Sequence, residues 1–181
     1  MKTIINSTLI NSVLEIYSES FKDERGSFFN IFKSVQKEFN SFWKNREIRQ
    51  VNLSSNKRIG TIRGLHLQVG EFAEAKIITC LKGKVWDVAV DLRKSSETFG
   101  KWHATELNED NEKAIFIPEG CAHGFQVLEE NSKLLYIHSK DWHPEGESGV
   151  RWDDKELGIS WPLESSLLNK KDRNLPLLLE F

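Results

Sequence analysis

The chain has 181 residues, enough for one domain with a sizeable core and too few for two comfortable ones. Hydrophobic residues make up 39% and charged residues 29%, and 25 basic side chains against 27 acidic ones leave no basic field for nucleic acid. No apolar run approaches the roughly 20 residues that span a bilayer, and the opening "MKTIINSTLINSVLEIYSES" lacks the apolar stretch and cleavage site of a leader, so one cytoplasmic domain over residues 1–181 is expected.

In the first half one segment has helical periodicity. In "SVQKEFNSFWKN", residues 34–45, Val35, Phe39 and Phe42 fall on one face behind a serine that can cap. From Arg46 the period changes to two: "REIRQVNLS", "AKIITCLKGKVWDVAVDLR", "KWHATELN", "KAIFIPEG", "GFQVLEE" and "KLLYIHSKDW" are short β-rich runs broken by Gly, Asn, Asp and Pro. Many short strands at this spacing predict a sandwich, jelly roll or barrel. Gly83 and "NEDN" at residues 108–111 are expected to be hairpin turns. The last thirty residues, with "GISWP" and "NKKDRNLP", are expected to wrap irregularly over the sheet. Cys80 and Cys121 form no CxxC pair and are expected to act as small buried hydrophobes.

In "KVWDVAVDLR" alternation puts Trp86, Val88, Val90 and Leu92 on one face, a packing face, and Val85, Asp87, Ala89 and Asp91 on the other. That second face lines a polar cavity or meets solvent; the strand alone does not decide between them. Further polar residues interrupt apolar runs. "TIRGLHLQ" carries Arg63, His66 and Gln68, "EAKIIT" carries Lys76, "IPEGCAHGF" carries His123, and "KLLYIHS" sets Tyr136 and His138 opposite Leu135 and Ile137. Singly each has a bland explanation: an edge-protecting lysine, a half-buried tyrosine, a histidine bonded to a loop. Together they supply His, Lys, Tyr and Asp for one cavity.

"PEGCAHGF" also has the Pro-x-Gly-x-x-His form of the second cupin motif. A metal-binding cupin brings a His-x-His pair as well, but here Gln68 stands two after His66 and no His-x-His occurs. A carboxamide is a poor ligand for zinc or iron, so no metal is expected. Neither a Gly-x-Ser-x-Gly elbow nor a Gly-rich phosphate loop is present.

Seven pieces, taken in order, resemble the dTDP-4-dehydrorhamnose 3,5-epimerase (RmlC-like) family. They are "FKDERGSFF", "QVN", "IGTIRGLHLQ", "AKIITCLKGKVWDVAVDLRKSSETFGKW", "IPEGCAHGF", "GVRWDDKELGISWP" and "NKKDRNLP", and they cover nearly the whole chain. The resemblance implies an all-β, cupin-type jelly roll, a double-stranded β-helix with short flanking helices. It also implies a homodimer in which an N-terminal strand adds to the partner's sheet, and a nucleotide-activated 4-keto-6-deoxy sugar as substrate. Epimerisation beside a ketone needs a base for the α-proton, a cation or donor for the enolate oxygen, and an acid on the other face; it needs no cofactor. By resemblance His66 is the base, Asp172 the carboxylate that orients it, Lys76 the cation near the keto oxygen, and Tyr136 the opposite acid. Buried Lys76 requires a carboxylate, and Asp87 is the expected one.

Arg25, Arg63, Lys171 and His123 match the family's contacts to nucleotide, diphosphate and sugar, arginine because its fork engages two phosphate oxygens. Phe28, Gln50, Asn52, Gln68, Asp87 and Glu147 fall on its other substrate-binding positions. Arg63 and His66 are three apart, so strict alternation would send them to opposite faces unless Gly64 admits a bulge. Three positions depart from the family: Asn30 replaces a glutamate, Val51 an aspartate, and Trp142 the tyrosine that stacks on thymine. The expected reaction is epimerisation of dTDP-4-dehydro-6-deoxy-D-glucose at C3 and C5. The alternatives are a single-centre epimerase on a related 4-keto sugar nucleotide and a non-catalytic sugar-nucleotide-binding cupin.

Overall fold

The computed structural model describes residues 2–33 and 36–181. In chain order the strands and helices are β1 (Thr3–Ser7), β2 (Leu14–Ser18), β3 (Phe21–Asp23), β4 (Gly26–Phe28), α1 (Lys37–Trp43), β5 (Gln50–Asn56), β6 (Ile62–Gln68), β7 (Lys76–Lys82), β8 (Lys84–Asp91), β9 (Trp102–Asn108), β10 (Lys113–Ile117), β11 (Cys121–Val127), β12 (Ser132–His138), β13 (Glu147–Gly149) and α2 (Lys170–Arg173). A six-stranded sheet runs β1-β2-β10-β7-β12-β5 and a five-stranded sheet β13-β6-β11-β8-β9. All pairs are antiparallel, and consecutive strands from β7 to β12 change sheet at almost every turn. The result is the expected cupin-type jelly roll with short flanking helices.

Both sheets are covered on both faces, which explains why so many strands are nearly continuous apolar runs. Between the sheets, Ile78, Cys80, Val85, Ala89, Ile115 and Phe125 join one core. Outside the six-stranded sheet, Phe39, Phe42 and Trp43 of α1 pack on Ile77, Phe116 and Ile137. Outside the five-stranded sheet, Val88, Val90 and Leu92 are capped by Leu157, Ile159, Trp161 and Phe181. The tail therefore does wrap over a sheet, and each fully sealed aliphatic side chain removes apolar area worth roughly 2 kcal/mol from water. Cys80 and Cys121 are both buried and free.

Several expectations change. Gly83 and the 108–111 turn are not hairpin turns: β7 and β8, and likewise β9 and β10, lie in different sheets, so each turn is a corner between the sheets. Gly83 has φ +71 at its corner, and a Cβ there would meet Ser132 Oγ at 2.5 Å, so the position takes glycine on two counts. The helix ends at Trp43 rather than Asn45, with Lys44 in the left-handed conformation behind it. Gln36 stands at its N-cap without a side-chain bond, and Ser34 and Val35 lie outside the described residues. Strands β1 to β4 escaped the period-two pattern because each has five residues or fewer, and β1, β3 and β4 are mostly exposed. Among the described residues no helix is long and apolar enough to cross a membrane.

Candidate active site

The inward face of β8 meets protein, not solvent: Val85, Asp87, Ala89 and Asp91 are all fully buried. Only part of it serves a polar cavity. Asp87 accepts a bond from His123 Nε2 at 2.8 Å, whereas Asp91 anchors the loop beyond β8 through Arg93, Ser96 and Thr98. The cavity lies between the sheets, a cleft of about 630 Å³ whose walls include Arg63, His66, Lys76, His123, Tyr136 and Trp142. That volume suits a sugar-nucleotide-sized molecule.

His66 reaches the cleft from β6 in the five-stranded sheet, and its Nε2 lies 2.8 Å from Asp172 Oδ1. A carboxylate only accepts, so the shared proton sits on Nε2 and Nδ1 carries the lone pair. Asp172 is sealed from solvent in α2, where Asn169 caps the turn by accepting from the Asp172 N–H. Its Oδ2 accepts from the Gly64 N–H at 3.0 Å. Burial pushes the Asp172 carboxyl up, but the bonds from His66 and Gly64 outweigh it and hold the group below its ordinary value, so it stays charged.

Gly64 resolves the spacing of Arg63 and His66. Phe125 pairs with Arg63 and His123 with His66, so β6 carries one more residue than β11 over that interval, a bulge. Gly64 has φ +119, and a Cβ there would fall 2.6 Å from Gly124 Cα. Both Arg63 and His66 consequently line the cleft, Arg63 with its Nε donating to Asn56 Oδ1 at 2.8 Å.

The facing wall belongs to the six-stranded sheet. Tyr136 on β12 is partly buried, and burial first, then the negative Asp87, pushes its phenol well above the ordinary value, so it stays protonated at neutral pH. Lys76, at the start of β7, is almost sealed. Its carboxylate partner is Glu74, 2.8 Å away, not Asp87, which is occupied by His123 in the other sheet. Among the described residues no group of three His, Cys, Asp or Glu side chains is arranged to hold a metal ion.

An imidazole with its sealed carboxylate partner stands on one wall, and an ammonium and a phenol stand on the other. The family model of dTDP-4-dehydrorhamnose 3,5-epimerase matches residues 7–180. The chain is 41% identical over 168 residues to the dTDP-4-dehydrorhamnose 3,5-epimerase of Shigella flexneri, covering 92% of this chain and 91% of that one. The chain belongs to the dTDP-4-dehydrorhamnose 3,5-epimerase family. It is an isomerase, a carbohydrate epimerase. The crystal structure of the Elizabethkingia anophelis dTDP-4-dehydrorhamnose 3,5-epimerase matches with TM-score 0.91 and 38% identity, over 98% of this chain and 97% of that one. The Legionella pneumophila enzyme, solved in complex with dTDP-4-keto-L-rhamnose, matches with TM-score 0.91 and 35% identity, over 98% and 94%.

The remaining positions expected for an epimerase of this family divide into three groups. Asn52, Val51, Trp142 and Glu147 line the cleft, Trp142 exposed at its rim with its N–H donating to Gln50 Oε1. Lys171 pairs with Glu147 beside the wall. Gln68 also borders the cleft, but its amide is engaged by the Phe72 and Asp141 carbonyls and the His143 N–H, which makes it a tie between loops. Asp87 acts through His123. Arg25 and Phe28 lie elsewhere, exposed on the separate β3–β4 hairpin, with Arg25 bonded to Asp23, and half-buried Asn30 follows it. Two ionisable wall residues were given no role from sequence, Glu74 and His138. The available signals were Glu74's place two residues before Lys76 and His138's place on the Tyr136 face.

Proposed function

We propose that the chain converts dTDP-4-dehydro-6-deoxy-D-glucose to dTDP-4-dehydro-L-rhamnose by epimerisation at C3 and C5, in the synthesis of dTDP-rhamnose. One observation carries the residue roles: His66 and Tyr136 enter a single cleft from opposite sheets, with Lys76 beside Tyr136. A 4-keto pyranose between those walls presents one face to each.

His66 Nδ1 removes the proton next to the ketone, and Asp172 stabilises the imidazolium that forms. The electron pair moves onto the carbonyl oxygen, where the Lys76 ammonium meets the negative charge. Tyr136 then gives a proton to the opposite face of the same carbon, and the configuration inverts. His66 then gives its proton to solvent and the Tyr136 phenolate takes one up, and with both groups reset the steps repeat at the second carbon after the ring turns. Arg63, Lys171 and His123 serve nucleotide, diphosphate and sugar, and Trp142 at the rim offers a planar face to the base.

The exposed hairpin carrying Arg25 and Phe28, outside this chain's own cleft wall, supports a homodimer in which each hairpin closes the partner's site. The 1–181 unit works as one cupin domain in the cytoplasm, where sugar nucleotides are made. Incubation with dTDP-4-dehydro-6-deoxy-D-glucose in deuterium oxide, followed by proton NMR, tests the reading. Deuterium enters at both C3 and C5. Label at one carbon only marks a single-centre epimerase, and label at neither marks a non-catalytic binder; both overturn it.

A further inference from the structure

Lys76 and Glu74 form an ion pair almost wholly out of water, with side-chain exposures of 6% and 8%. An ammonium in such a place sheds its proton unless a carboxylate stays with it. Among the described residues the other carboxylates at or behind the cleft wall face other side chains: Asp172 faces His66, Asp87 faces His123 and Glu147 faces Lys171. On its far side β7 meets β10, where Lys76 is registered with apolar Ile117. Among the described residues Glu74 is therefore the carboxylate that partners Lys76.

Glu74 has a second oxygen, and His138 Nδ1 donates to it at 2.8 Å. His138 is the direct cross-strand neighbour of Lys76 in the β7–β12 pairing. Its Nε2 faces Asn52 Nδ2 at 3.4 Å, and its ring stacks on Tyr136 at 5.9 Å with 11° between planes. His138 thus holds the Glu74 oxygen that Lys76 leaves free, while its other ring nitrogen lies beside the Asn52 amide. Glutamate and lysine side chains are long and rotatable; a carboxylate bonded at one oxygen only would swing and carry the ammonium with it.

We propose that Glu74 and His138 are positioning residues of the epimerase, a single unit that aims the Lys76 ammonium at the carbonyl oxygen while backing the Tyr136 ring. The proposal deepens the function given above and rests on it. Electrophile and acid are thereby set in one frame on one wall, opposite the base. A displacement of about 1 Å at such a centre costs on the order of 10²-fold in rate.

Three variants test this through kcat, KM and the pH dependence of kcat, with dTDP binding measured by calorimetry. His138→Leu, which cannot donate, loses about 10²-fold in kcat with dTDP affinity unchanged. His138→Asn places an amide N–H where Nδ1–H stood and recovers most of that loss. Glu74→Gln lowers kcat and moves the alkaline limb of its pH profile down by about a unit or more, because Lys76 no longer has a countercharge. Should Glu74→Gln fail to fold, the His138 pair decides. Equal kcat in His138→Leu and His138→Asn overturns the proposal, as does a Glu74→Gln profile identical to the wild type. A wild-type protein that leaves the 4-keto sugar nucleotide unchanged overturns the functional reading instead, and this role with it.

Discussion

His66 and Asp172 are 106 residues apart in sequence, yet 2.8 Å separates Nε2 from Oδ1, and the proposed chemistry depends on that contact. Asp172→Asn keeps the shape but offers an amide to an imidazole that needs an acceptor, so the wrong tautomer is favoured. Its kcat should fall roughly 10³-fold with little change in KM, measured by deuterium exchange. Glu74 gives a pH prediction. Burial would raise its carboxyl, but the His138 bond and the Lys76 charge reverse that and hold it at about 2, below the ordinary 4.5. A carboxylate depressed on folding adds stability that is complete above its unfolded value and lost as pH falls toward the folded one. That window runs from 4.5 down to about 2, and the contribution at neutral pH is roughly 3 kcal/mol. Urea unfolding at pH 7 and pH 3 checks it: Glu74→Gln is less stable than wild type at pH 7, and the gap narrows at pH 3. The mistaken partner for Lys76 shows what a sequence hides at this scale. Asp87 is acidic and faces inward as alternation requires, but its strand lies in the other sheet, and His123 reaches it there.

At the scale of elements, period-two patterning located β7 to β12 because each strand is a short run ended by a turn residue. It did not assign strands to sheets. A glycine or an Asn-Glu-Asp-Asn run announces a change of direction, and whether the next strand pairs with the last or crosses the sandwich depends on contacts far along the chain. The β6 bulge was legible because three-residue spacing and an intervening glycine state the problem and its solution together. Gly64→Ala should accordingly damage both stability and site. Its Cβ would sit 2.6 Å from Gly124 Cα and 2.7 Å from the His123 carbonyl oxygen, on a backbone with φ +119. A loss of about 2 kcal/mol or more in urea unfolding is expected, with exchange activity falling further than stability because Arg63, His66 and the Asp172 contact move together.

For the whole molecule, the jelly roll supplies two walls, and the proposed mechanism divides its groups between them. What one chain leaves outside is the β3–β4 hairpin, where Phe21 and Phe28 are 59% and 65% exposed. Sedimentation velocity should show a species of twice the chain mass. Arg25→Ala, on a side chain that among the described residues is bonded to neighbouring Asp23 alone, should leave the melting temperature unchanged and raise KM several-fold, the mark of a hairpin that reaches the partner's cleft. The two-walled division itself is tested most directly by following deuterium entry and L-configured product together, in deuterium oxide, for wild type, His66→Ala and Tyr136→Phe. Without His66 both signals should vanish while dTDP still binds. Without Tyr136, deuterium should still enter beside the ketone but return to the face it left, giving labelled sugar of unchanged configuration. Undiminished exchange in His66→Ala, or L-configured product at the wild-type rate from Tyr136→Phe, would contradict a base and an acid acting from opposite sheets.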